Sequence, residues 1–197
     1  MKNVQDIVEE IKRLEKELRD QIQTKEEEFL YTIKGKKVLF DAETREFHKT
    51  LATKIHTYLL DSQFLNILTA PVIWSCIVPA VFMDLVVTVY QFICFRVYKI
   101  PPVQRADYIV VDRQSLAYLN LIEKINCVYC GYFNGLIAYV QEIAARTEQY
   151  WCPIKHARRL ATMHTRYGKF IDYGDHQKFK EQLESIRRDF NDLGTKQ

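Results

Sequence analysis

The stretch that decides the fold is residues 64–95, FLNILTAPVIWSCIVPAVFMDLVVTVYQFICF. It contains one formally charged residue, Asp84. As a straight helix it would be about 48 Å long at 1.5 Å per residue. The hydrocarbon core of a bilayer is about 30 Å thick. The run is therefore long for one upright span and short for two. Pro79 lies near its middle, and proline removes a helical hydrogen bond. Two arms result, Phe64 to Val78 and Ala80 to Phe95, each about 22–24 Å if helical.

The flanks bear on the geometry. Lys49, Lys54 and His56 precede the run, and Arg96, Lys99 and Arg105 follow it. Lys and Arg collect on the cytoplasmic face of a membrane. Basic residues at both ends favour a kinked or re-entrant hairpin with both flanking parts on the cytoplasmic side. A single span from about Val72 to Phe95 is the alternative. Asp84 would then sit deep in lipid, where an ionisable side chain marks function or a buried partner. The run also reads as the buried core of a soluble oligomer, since helices apolar on all sides occur there. The expected class is a mainly α, membrane-associated protein bound to lipid.

Working outward, residues 1–63 form an amphipathic helical arm. Val4, Ile7, Ile11, Leu14 and Leu18 follow heptad a/d spacing before Ile22 breaks phase. Such a stripe either packs on its own protein or pairs copies in a short coiled coil, and a homo-oligomer is expected. No apolar core of a signal peptide lies between Met1 and Glu28. Around Gly35 the period shortens to two, and residues 29–41 read as a small β-hairpin. Residues 42–60 return to helical spacing. The boundaries expected are 1–63, 64–100 and 101–197.

In the last part, Ser115 is expected to cap a helix toward Cys127, with Asn134-Gly135 as an interruption. A second helical stretch follows to about Gln149. Pro153 is expected to open a helix to about Tyr167, and Asp175 to cap a final charged helix.

That part also holds the chemistry-bearing residues. Cys127 and Cys130 form a C-x2-C pair, and Cys152 and His156 follow as C-x3-H. Three thiolates and an imidazole suit tetrahedral zinc, or iron in a sulfur-rich site. Buried inert thiols and a redox dithiol are the competing readings. Cys76 and Cys94, within the apolar run, read as inert. Lys155, Arg158, Arg159 and Arg166 form a basic cluster suited to anionic lipid headgroups or phosphate, or to an ordinary solvated face.

Lys and Arg total 28 against 25 Asp and Glu, giving a net charge of +3. That near-balance argues against nucleic acid. There is no P-loop, dinucleotide fingerprint, G-x-S-x-G elbow or H-E-x-x-H. Three functions follow as expectations. The first is a metal-binding protein acting in interaction or assembly at the cytoplasmic membrane face. The second is a membrane-bound oxidoreductase or lipid-acting enzyme using the Cys/His site. The third is an oligomeric channel or transporter subunit with Asp84 in the pore.

Overall fold

The computed structural model describes residues 4–29, 31–34 and 37–193. The chain is mainly helical with one small antiparallel sheet. It divides into two compact units, Met1–Ser62 with Asp112–Val128, and Gln63–Val111 with Tyr129–Gln197. The apolar run belongs with the C-terminal part, and residues 112–128 belong with the N-terminal part.

In the first unit, α1 spans Val4–Glu28. Its Ile11, Leu14, Leu18 and Ile22 are exposed, so these positions have no cover among the described residues. Strands β1 (Tyr31–Lys34) and β2 (Lys37–Phe40) pair with Tyr31 opposite Phe40. This is the expected hairpin; Gly35 and its turn lie outside the described residues. Helix α2 (Ala42–Thr50) is capped by Asp41, whose carboxylate accepts from the Glu43 N–H, and α3 covers Ile55–Asp61. The His48 ring stands edge-on between Phe40 and Tyr118, at 5.3 and 5.2 Å. It is a packed histidine.

The second unit is built on the apolar run. Helices α4 (Phe64–Ser75) and α5 (Ile77–Tyr90), a π-helical turn over Gln91–Phe95 and α6 (Arg96–Tyr98) follow one another. Together they make one helix, Phe64–Tyr98, of 35 residues. The re-entrant hairpin does not form. Cys76 stays in the right-handed helical region at φ −64°, ψ −15°. Pro79 is the third residue of α5, within the first turn of a helix, where the missing N–H costs least. The helix ends at Lys99, which takes the left-handed conformation with φ 56°, a common helix stop. Pro101-Pro102 follow, and then the short α7 (Arg105–Tyr108).

Helix α8 runs unbroken from Leu121 to Trp151. Its start is set by Asn120, not Ser115. The Asn120 carboxamide oxygen accepts from the Glu123 N–H at 3.0 Å, and the Glu123 carboxylate accepts from the Asn120 N–H at 2.8 Å. This reciprocal capping satisfies two otherwise orphaned donors. Asn134 does not interrupt the helix; its amide donates to the Cys130 carbonyl at 2.9 Å.

The helix expected after Pro153 is also absent. Residues 152–175 are mostly irregular, tied by backbone bonds from Lys155 N–H to Ile171 O and from Ile171 N–H to Pro153 O. Pro153 has no N–H to extend α8, so here it ends one helix instead of starting another. Helix α9 (His176–Arg188) is capped by Asp175, as expected. The core of this unit is Ala80, Phe95, Ile100, Val103, Leu136, Tyr139 and Ile143.

Candidate functional site

The four expected metal ligands are not brought together. Cys130 lies on α8 and Cys152 follows its end. Twenty-two positions at 1.5 Å separate the two thiols by about 33 Å along the helix, whereas zinc holds sulfur at about 2.3 Å. Cys127 lies one turn before Cys130 on the same helix. His156 donates its backbone N–H to the Tyr167 hydroxyl at 2.8 Å, and its ring stacks on Tyr167. Among the described residues, no group of three or more His, Cys, Asp or Glu is placed to hold a metal ion. The cysteines, including Cys76 and Cys94, are free thiols.

The basic cluster splits into residues of different kinds. Arg158 and Arg159 are exposed. Lys155 pairs with Asp172 at 2.7 Å, and that hydrogen bond holds the Asp172 carboxyl below its ordinary range. Arg166 is 2 % exposed and faces inward, so the headgroup contact expected of it does not exist. Its guanidinium donates to the Gln149 side-chain oxygen at 2.7 Å and to Asp192 at 3.2 Å, and lies over the Phe190 ring. Gln149 in turn donates to the Ile186 and Asp189 carbonyls, both at 2.8 Å. Burial pushes the Asp192 carboxyl up, but the Lys169 hydrogen bond and the charges of Arg166 and Lys169 outweigh it and hold it low. Beside this network Arg146 pairs with Glu142 at 2.8 Å and donates to the Pro101 and Pro102 carbonyls. These charges staple the end of α9 and the turn after α6 onto α8.

The most distinctive arrangement lies along Phe64–Tyr98. One face packs inward through Ala80, Met83, Val87, Tyr90 and Phe95. That face also carries the polar groups. The Gln91 side chain accepts from Val103 N–H at 2.8 Å and donates to Val103 O and the Tyr139 hydroxyl, both at 3.2 Å. Tyr90 and Thr147 share a hydrogen bond at 3.0 Å. Asp84 meets the Arg105 guanidinium side-on, with Nε at 3.2 Å and Nη2 at 2.6 Å. The Tyr132 hydroxyl donates to the same carboxylate at 3.0 Å.

The opposite face shows Val78, Val81, Phe82, Leu85, Val86 and Val89 to the outside. None of the exposed residues between Val78 and Ile93 carries a charge. Over these residues polarity is inverted: the one charge, Asp84, is on the packed face and hydrocarbon is on the exposed face.

Two glycines let residues 100–111, the strap that follows the Lys99 helix stop, lie close to α8. A Cβ on Gly135 would come within 2.6 Å of the Tyr108 carbonyl oxygen and 2.8 Å of the Ile109 Cα. One on Gly131 would meet the Val110 carbonyl oxygen at 3.2 Å. Glycines four apart on an apolar helix permit such close backbone approach. Gly131 therefore serves the strap and not a metal knuckle.

Aromatic side chains mark both ends of the packed pair of helices. Trp74 stacks on Tyr129 at 6.0 Å, and the Tyr129 hydroxyl donates to the Ile73 carbonyl. At the other end Tyr98 stacks on Tyr150 at 5.1 Å and meets Trp151 edge-on at 5.3 Å. Arg96 covers the Phe92 ring there.

The partners of Asp84 lie 21 and 48 positions away. The usable signal was the lone acid itself, which calls for a cation. Arg105 reads in sequence as a flanking charge, and nothing distinguishes Tyr132 among 12 tyrosines. No protein-family model, curated protein or solved structure matches the chain. One helix, Phe64–Tyr98, is long and apolar enough to cross a membrane.

Proposed function

We propose that the chain is a membrane-embedded helical protein that acts in interaction or assembly. The observation that carries this reading is the inverted polarity of Phe64–Tyr98. A continuous apolar face of this size is costly in water and signals a lipid or protein contact. The polar groups of the same helix are turned inward and paired, as lipid requires of them. The aromatic clusters support lipid as the neighbour. Trp74 and Tyr98 are 24 positions apart, about 36 Å along a helix. Trp and Tyr gather at both borders of a hydrocarbon layer about 30 Å thick.

The first unit contributes the interaction. Its α1 carries exposed apolar residues at heptad spacing, a pattern that pairs helices of two copies. Anchored to the same chain, such a helix would gather protein at a membrane surface.

The test is extraction of membranes from cells expressing the full chain. Alkaline carbonate and high salt should leave the protein in the pellet, and mild detergent should release it. Recovery in the soluble fraction without detergent would overturn the reading.

A further inference from the structure

We infer that residues 104–107 of the strap border a water-filled cleft at bilayer depth, which brings water to the Asp84–Arg105 pair. The inference rests on the membrane reading above and goes beyond it. Asp84 lies ten positions after Trp74 and fourteen before Tyr98. At 1.5 Å per residue it is about 15 Å and 21 Å from the two aromatic borders. The pair is therefore near the middle of the layer.

The two partners are not equally covered. The Asp84 side chain is 14 % exposed, whereas that of Arg105 is 46 % exposed. Gln104, Ala106 and Asp107 beside it are also exposed. Just beyond, Ile109–Val111 are not helical. Irregular backbone and charged side chains do not face lipid tails; at this depth they are buried in protein or line water. The strap's inner side meets the protein: Val103 is in the core, and the backbone of Tyr108–Val110 lies against Gly131 and Gly135. Its outer side holds a half-exposed guanidinium and needs a polar neighbour. The helix is thus two-sided at one depth, with hydrocarbon against Val81 and Val86 and water against Arg105. Asp84, which the sequence suggests as a pore-lining acid, is the covered member of the pair; Arg105 is the one that meets the cleft.

The experiment places one new cysteine at a time in the full chain, Ala106→Cys on the strap or Val86→Cys on the apolar face. Membrane vesicles are freeze-thawed with a sulfonated maleimide, which reacts only in water and so reaches both sides. Labelling is read site by site by mass spectrometry, so the native cysteines do not interfere. Ala106→Cys should label at least about tenfold faster than Val86→Cys, and the difference should vanish in denaturing detergent. Equally slow labelling would overturn the cleft while leaving the embedding intact. Fast labelling at Val86→Cys would overturn the embedding, and the cleft with it.

Discussion

At Gly135 a single added methyl group has nowhere to go, because both of its nearest neighbours are backbone atoms of the strap. At Gly131 the one close atom is a carbonyl oxygen at 3.2 Å, which a shift of a few tenths of an ångström relieves. Both positions lie inside α8, where replacing glycine by alanine gains about 1 kcal/mol of helix propensity. The two effects compete, and their balance differs between the sites. Gly131→Ala should be close to neutral. Gly135→Ala should lose the propensity gain to overpacking, which costs about 1–3 kcal/mol, and loosen the strap. Thermal unfolding of the two variants in detergent checks the order. A Gly135→Ala protein as stable as the parent would mean the strap does not lie in this groove.

At the scale of elements, a buried polar network ties the C-terminal part to α8. Gln149 and Arg166 are buried, and their partners sit on the end of α9 and the turn after it. Arg166→Ala would leave the Gln149 side-chain oxygen buried without a donor and Asp192 without its guanidinium. Breaking such a buried pair costs about 3–5 kcal/mol, somewhat less here because Asp192 is partly exposed. Arg158→Ala, eight positions earlier in α9's approach loop, touches no such network among the described residues and should stay within about 0.5 kcal/mol. Denaturant unfolding separates the two. Composition treats these arginines alike, and so does spacing. What separates them is the path of residues 152–175, which proline redirects. The elements that were legible are those with local signals: the heptad stripe of α1, the alternation around Gly35, Asp175 before α9. Those that were not depend on distant partners. Asn120, 31 positions before the end of α8, caps a helix that Asn134-Gly135 does not break, and Gly135 is where the strap's backbone comes closest.

At the scale of the molecule, the apolar run was legible and its shape was not. Length, Pro79 and the basic flanks all favoured a bend. Pro79 falls in a first helical turn, and Arg105 is spent on Asp84, so two of the reasons for a hairpin disappear. The cysteine and histidine spacing has a related outcome: Cys127 and Cys130 lie inside α8, and the rest of that helix stands between them and Cys152. The Asp84–Arg105 pair then becomes a probe of the medium around it. In a low-dielectric layer a lone charge is costlier than a pair, and a pair replaced by apolar side chains of similar size is often no less stable. Asp84→Leu alone should destabilise the protein by a large part of the 3–5 kcal/mol typical of a broken buried pair, reduced by whatever water reaches Arg105. Arg105→Leu alone should do the same, leaving a covered carboxylate with the Tyr132 hydroxyl and the Thr88 hydroxyl, which donates to it at 3.4 Å. The double variant should recover most of the loss, since no unpaired charge remains. Thermal unfolding of the four proteins in one detergent measures the coupling as a double-mutant cycle. Losses that simply add would mean that the two charges do not depend on each other, and that the inward polarity of the helix has another source.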